Sequence, residues 1–164
     1  MIDDEERAAE SVLSALIALV TAWSSVRTQG RIAAELGITI PEGDVRGLHA
    51  LGRFGAPVRA GQLAEELMIS RPTMSKMIAR LTESGLVQRA ASAGDGRSVL
   101  LSLTPAGRDA YQRLVDAGLR MVAAALHGSD QADPRITTDL LQRLVEQLPG
   151  QQHPHRPTSA PASI

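Results

Sequence analysis

The stretch Ser70-Arg71-Pro72-Thr73-Met74-Ser75-Lys76-Met77-Ile78-Ala79-Arg80-Leu81 decides how the rest of the chain is read. Ser70 suits an N-cap, because its hydroxyl can accept from the free amide donors of a first helical turn, and Pro72 falls where a missing N–H costs nothing. Met74, Met77, Ile78 and Leu81 follow at i, i+3, i+4 and i+7, which predicts a helix with a buried stripe. Arg71, Thr73, Ser75, Lys76 and Arg80 are left to point outward. Gly85 predicts the helix end, since glycine accepts the left-handed backbone of a C′ position without a Cβ clash. Upstream, residues 59–67 predict a short helix with Leu63, Ala64 and Leu67 inward, joined through the turn Met68-Ile69-Ser70. Downstream, residues 86–91 and 98–103 predict two strands, and the glycines of Ser92-Ala93-Gly94-Asp95-Gly96-Arg97 permit a tight hairpin between them. Helix, tight turn, capped helix and hairpin is the order of a winged helix-turn-helix.

Helical patterns flank this centre on both sides. Over residues 8–36 the apolar positions Val12, Leu13, Leu16, Ile17, Leu19, Val20, Trp23, Val26 and Ile32 recur at helical spacing without proline, predicting one long helix. So broad an apolar face on a terminal helix asks for a covering surface, such as a second subunit. Gly37-Ile38-Thr39-Ile40-Pro41-Glu42-Gly43 breaks it. A second helix then carries Val45, Leu48, Leu51 and Phe54 on one side, and Gly55-Ala56-Pro57 stops it. Thr104-Pro105 opens a long helix with Tyr111, Leu114, Val115, Leu119, Val122 and Leu126 inward, ending at Gly128. Asp133-Pro134 opens a last helix with Leu140, Leu141, Leu144, Val145 and Leu148, closed by Pro149. The Pro-, Ser- and His-rich residues 150–164 read as a disordered tail.

Duplex recognition needs a slim helix whose polar first half enters the major groove with donors for base edges and phosphates. Arg71 has the fork that matches guanine N7 and O6, and Thr73 and Ser75 can donate to or accept from several bases. Lys76 and Arg80 suit phosphate contacts. Arg97, at the hairpin tip, suits a narrow minor groove. Three spaced cations on a helix are ordinarily a solvated face, but here the cap and the hairpin favour DNA. Between Ser70 and Arg97 five basic residues stand against two acidic ones, a net of +3, whereas the first ten residues carry a net of -4.

The whole chain has 164 residues, 17 Lys plus Arg against 18 Asp plus Glu, and a net charge of -1, a sum that by itself gives no hint of nucleic acid. The absence of cysteine excludes a disulfide framework, a thiolate zinc site and a cysteine nucleophile. His153 and His155 lack a third ligand nearby, so neither metal nor cofactor is expected. No nucleophile–base spacing and no phosphate-binding glycine loop after a strand is present, so an enzyme is not expected. The acidic N-terminus does not suit a targeting segment. The apolar run from Val12 to Trp23 falls short of the ~20 residues that span a bilayer. A cytoplasmic protein without membrane attachment is the expectation. A winged-helix protein-interaction module without specific DNA binding is the alternative, and the cations outward on residues 70–80 weigh against it.

At these residues the sequence resembles the MarR family of bacterial transcriptional regulators. The similar stretches are Gly61-Gln62-Leu63-Ala64-Glu65-Glu66-Leu67, Ser70 to Lys76, Leu81-Thr82-Glu83-Ser84-Gly85-Leu86-Val87, Asp95-Gly96-Arg97 and Leu103-Thr104-Pro105-Ala106-Gly107. The resemblance implies a mainly α fold with a small β-hairpin wing. It divides the chain into an acidic tail 1–7, an N-terminal dimerisation helix and linker 8–40, a winged DNA-binding lobe 41–104, C-terminal dimerisation helices 105–149 and the tail 150–164. It further implies a homodimeric repressor on a pseudo-palindromic operator in double-stranded DNA. Base-reading residues would lie within Ser70 to Lys76, and Asp95 would orient Arg97 in the wing; many members carry a second arginine where this chain has Gly96. Members commonly bind small, often anionic aromatic compounds between the dimerisation helices and the lobe, where Trp23, Arg27, Arg46, His49 and Arg53 are the candidates here. Without cysteine, the thiol-based peroxide-sensing branch of the family is excluded.

Overall fold

A computed structural model of the chain describes residues 2–92, 95–128 and 133–148. The expected tail 150–164, Pro149 and the hairpin residues Ala93 and Gly94 lie outside the described residues. The chain divides into two compact units, residues 1–118 and 119–164.

The first unit opens with α1 (Ile2–Ser24) and α2 (Val26–Glu35). Two expectations change here. The acidic residues expected to form a tail open α1 instead, and the single long helix is two, bent by 59° at the break. Ser25 stands between them in extended backbone (φ -63°, ψ 122°), and Gln29 Nε2 donates to the Trp23 carbonyl at the end of α1 (3.1 Å). The apolar pattern runs across Ser25 without interruption, so periodicity carries no sign of the bend. No single described helix is long and apolar enough to cross a membrane.

A 3-10 turn, Glu42–Asp44, leads into α3 (Val45–Phe54), which Gly55 ends at φ +64°. Val45, Leu48 and Leu51 are buried as their spacing predicts, whereas Phe54 is exposed. Next come β1 (Val58–Arg59), α4 (Ala60–Glu66) and α5 (Arg71–Glu83). β2 (Val87–Ser92) and β3 (Asp95–Leu103) form the hairpin, and the sheet is antiparallel in the order β1-β3-β2. Both hairpin strands extend further toward the tip than expected, and β1 adds a third strand where the sequence predicts the start of a helix. Val58 pairs with Leu101 and Arg59 with Leu100. The core lies where α3, α4, α5 and the sheet meet, with Leu48, Leu63, Met74, Leu81, Val87 and Leu101 fully buried. Together these elements are a winged helix-turn-helix in a mainly helical chain.

α6 (Pro105–His127) follows the sheet, and Arg113 Nη1 ties it to the Leu36 carbonyl just after α2 (2.6 Å). In the second unit α7 (Pro134–Glu146) starts on the Asp133 carboxylate, which accepts from the Arg135 amide (2.8 Å). No residue of α7 is buried: Ile136, Leu140, Leu141 and Val145 are exposed, as are Leu13, Ile17, Leu19, Val20 and Trp23 on α1.

Candidate nucleic-acid interface

The start of α5 is built by local chemistry. Ser70 is in extended backbone (φ -67°, ψ 153°), its Oγ accepts from the Thr73 amide (3.3 Å), and the Ser70 and Thr73 hydroxyls bond each other (2.9 Å). Pro72 lies in the first turn, where no amide partner is required. Beneath, Met74, Met77, Ile78 and Leu81 are buried, and Gly85 follows the helix at φ +71°. The stripe and both helix ends are therefore where the spacing predicts them.

At 100° per residue the polar positions of α5 fall on three lines. Arg71 and Ser75 occupy the flank toward the hairpin, where with Arg89 and Val99 they line an open groove of about 540 Å³ floored by Met74 and Ile78. Lys76, exposed, lies outermost. Thr73 and Arg80 share the opposite flank. Asp95 and Arg97 are on β3, but their side chains lie outside the described residues.

Arg80 departs from the outward orientation its spacing predicts. Its guanidinium grips Asp44 of the 3-10 turn in a two-point ion pair, Nε to Oδ2 at 2.7 Å and Nη2 to Oδ1 at 2.6 Å. Hydrogen bonding to that carboxylate raises the pKa of Arg80 above its ordinary value; desolvation opposes this in part, and the opposite charge of Asp44 adds a lesser increase. Asp44 is the one charged side chain among the described residues that is fully buried. An acidic residue just before a helix reads from sequence as a capping residue, and a partner 36 positions away leaves no local signal.

Arg89 is the other residue that sequence reading passed over, and period-two alternation contained it. Val87 faces the core opposite Leu103, so Arg89, opposite Leu101, must share that face. The core ends there, and Arg89 lines the groove beside α5.

The five candidates for a small-molecule cleft divide. Arg46 Nη2 donates to the Leu67 carbonyl at the end of α4 (3.3 Å), and Arg53 pairs with Glu66 (3.1 Å). Trp23 lies against Gly118 of α6, and Arg27 is exposed on α2. His49 meets the Tyr111 ring edge-on, with centroids 5.6 Å apart. Burial, and secondarily the charge of Arg53, pushes the His49 pKa below its ordinary 6.5. The folded chain thus binds the proton less well than the unfolded one, so this site's stability is full above about pH 6.5 and is lost as pH falls through the lowered value. Thermal unfolding from pH 7 to pH 5 should show a falling midpoint, part of which His49→Gln removes; identical pH profiles for the two chains would contradict this.

The MarR family's sequence profile matches residues 36–98. Over 105 residues the chain is 33% identical to HTH-type transcriptional regulator MT0903.1 of Mycobacterium tuberculosis (strain CDC 1551 / Oshkosh), an alignment covering 62% of this chain and 73% of that relative. Among solved structures it is similar to FabT of Streptococcus pneumoniae in complex with DNA, with TM-score 0.57 and 21% identity over 89% of this chain and 96% of that one. It is also similar to NadR in complex with 4-hydroxyphenylacetate, with TM-score 0.56 and 26% identity over 78% of this chain and 89% of that one.

Proposed function

Since the chain belongs to the MarR family of winged helix-turn-helix transcriptional regulators, we propose that it is a sequence-specific DNA-binding repressor, acting in the cytoplasm as a homodimer on a pseudo-palindromic operator. The observation that carries this reading is the convergence of Arg71, Ser75 and Arg89 along one groove, with Lys76 outermost on the same helix. Arg71 reads a guanine edge, Ser70, Thr73 and Ser75 offer hydroxyls at the mouth of the major groove, and Pro72 keeps the first turn slim. Lys76, Arg80 and Arg89 hold phosphates. Asp95 and Arg97 serve the wing. The exposed apolar faces of α1 and α7 supply the dimer surface, which sets the two recognition helices about one turn of DNA, ~34 Å, apart.

A small aromatic or anionic compound releases the repressor in this reading. Trp23, Arg27, Arg46, His49 and Arg53 are its candidate contacts. Trp23 and Arg27 pair a ring with a cation close together in sequence, whereas Arg46 and Arg53 already hold Leu67 and Glu66. The complex of NadR with 4-hydroxyphenylacetate supports the ligand class. No enzymatic turnover, metal or cofactor enters the proposal.

Selection of duplexes from a random library by the purified chain, followed by sequencing, tests it. A pseudo-palindromic consensus is expected, and Arg71→Ala should relax preference at one base pair per half-site by ~1–3 kcal/mol. Retention of all duplexes alike by the wild-type chain would sink the reading.

A further inference from the structure

On the reading above, in which α5 meets DNA, we propose that Asp44 is a positioning residue for DNA binding: through Arg80 it sets the rotation of the recognition helix and holds that arginine ready for a backbone phosphate.

A buried carboxylate is costly unless it is paired and hydrogen-bonded, and filling the same space with an apolar side chain often leaves a fold equally stable. What an ion pair adds is direction. Two parallel N–H···O bonds define the plane and the approach of the guanidinium as a single lysine contact cannot. Here the Asp44 side chain is 1% exposed and that of Arg80 is 43% exposed, so the guanidinium straddles the surface. Nε and Nη2 face inward onto the carboxylate, and Nη1 makes no hydrogen bond among the described residues. Arg80 follows Lys76 by four residues on α5, which puts the two cations one turn apart on neighbouring lines of the helix. An arginine already immobilised by a carboxylate loses little further freedom on taking a phosphate.

The support behind Asp44 is itself fixed. Its amide donates to the Pro41 carbonyl (2.8 Å), and Glu42 of the same 3-10 turn packs its side chain over Gly30 of α2. Two residues after Asp44, Arg46 holds the end of α4 through the Leu67 carbonyl. One corner of the chain therefore grips both helices of the helix-turn-helix, α4 by Arg46 and α5 by Asp44.

The test uses the full chain and a duplex chosen by the wild-type protein from a random library, with a scrambled duplex of the same length beside it. Asp44→Asn, Arg80→Lys, Arg80→Gln and the double variant Asp44→Asn/Arg80→Gln are compared by circular dichroism, thermal unfolding and titration of binding at several salt concentrations. Asp44→Asn is expected to remain helical at the assay temperature, to bind the chosen duplex at least tenfold more weakly, and to flatten the logarithmic salt dependence by about 0.9 per subunit. Arg80→Lys keeps the charge but cannot span both carboxylate oxygens, so it should lose as much. The double variant should be no weaker than Arg80→Gln alone. A role in stability only would lower the unfolding midpoint and leave affinity and salt slope unchanged, which overturns the proposal. If Asp44→Asn does not fold, Arg80→Lys decides, and wild-type binding by that variant overturns it. A wild-type chain that retains no duplex brings down the DNA reading and this proposal together, whereas a wild-type chain and variants that bind equally bring down this proposal alone.

Discussion

Gly107→Ala is expected to destabilise the first unit by about 3 kcal/mol, near the upper end of what one added methyl costs in a packed site, and to lower its thermal midpoint by roughly 9–15 °C. A Cβ on Gly107 would overlap the Leu86 carbonyl oxygen and stand 2.9 Å from the carbonyl carbon. The obstacle is backbone, so no rotamer change relieves it. That carbonyl is also held in place, since it accepts from the Thr104 amide (3.0 Å). Thr104 Oγ1 in turn donates to the Gly85 carbonyl (2.6 Å) and accepts from the Gly107 amide (3.0 Å). The end of α5, the entry to β2 and the first turn of α6 are joined around one threonine, and the glycine is the space that lets them meet. The run Leu103-Thr104-Pro105-Ala106-Gly107 thereby acquires a mechanical reason. Ala106→Gly is the control: Ala106 is exposed, so the loss should stay near the ~1 kcal/mol of helix propensity. Chemical denaturation of both variants checks the pair, and a Gly107→Ala loss no larger than that of Ala106→Gly would show that the close approach does not exist in solution.

What could be read in advance follows from the range of each interaction. The recognition helix is legible because everything that makes it lies between Ser70 and Gly85: a cap hydroxyl, a proline in the first turn, an apolar stripe and a terminal glycine. β1 is not legible, because two residues have no period and Val58 becomes a strand only through the free edge of β3. The bend at Ser25 hides under an apolar pattern that fits one helix as well as two. Arg80 looked outward because a helical wheel describes one helix, whereas its direction is set by a carboxylate brought in by the 3-10 turn. Arg89 was open to reading from the alternation with Val87. The family resemblance pointed to the family and the winged fold, but the division of α5 into a hairpin flank with Arg71 and Ser75 and an Asp44 flank with Arg80 depends on contacts made by distant segments.

Replacing Lys76 and Arg89 together with glutamine is expected to weaken binding to every duplex, chosen or scrambled, by roughly two orders of magnitude at 0.15 M salt, and to flatten the logarithmic salt dependence by about 3 to 4 for the four charges of the proposed dimer. The expectation rests on position and not on total charge. Two cations removed from a chain of net charge -1 leave it at -3, a small change for a whole molecule, but at 0.15 M salt exposed charges are screened beyond about 8 Å. In the proposed complex, Lys76 on the outer line of α5 and Arg89 beside the groove are the cations placed to act on phosphates within that distance. Glu5 and Glu6, exposed on α1, belong to the strongly acidic first ten residues. Adding Glu5→Gln and Glu6→Gln to the double variant returns the net charge to -1, and binding should nevertheless stay weak. Recovery of affinity in that four-substitution chain would mean that the overall field of the protein governs association. Continued weakness with a flattened slope would mean that the few cations lining α5 and β2 do so, in which case the near-neutral sum of this chain describes an acidic surface and a basic one that never act on the same ligand.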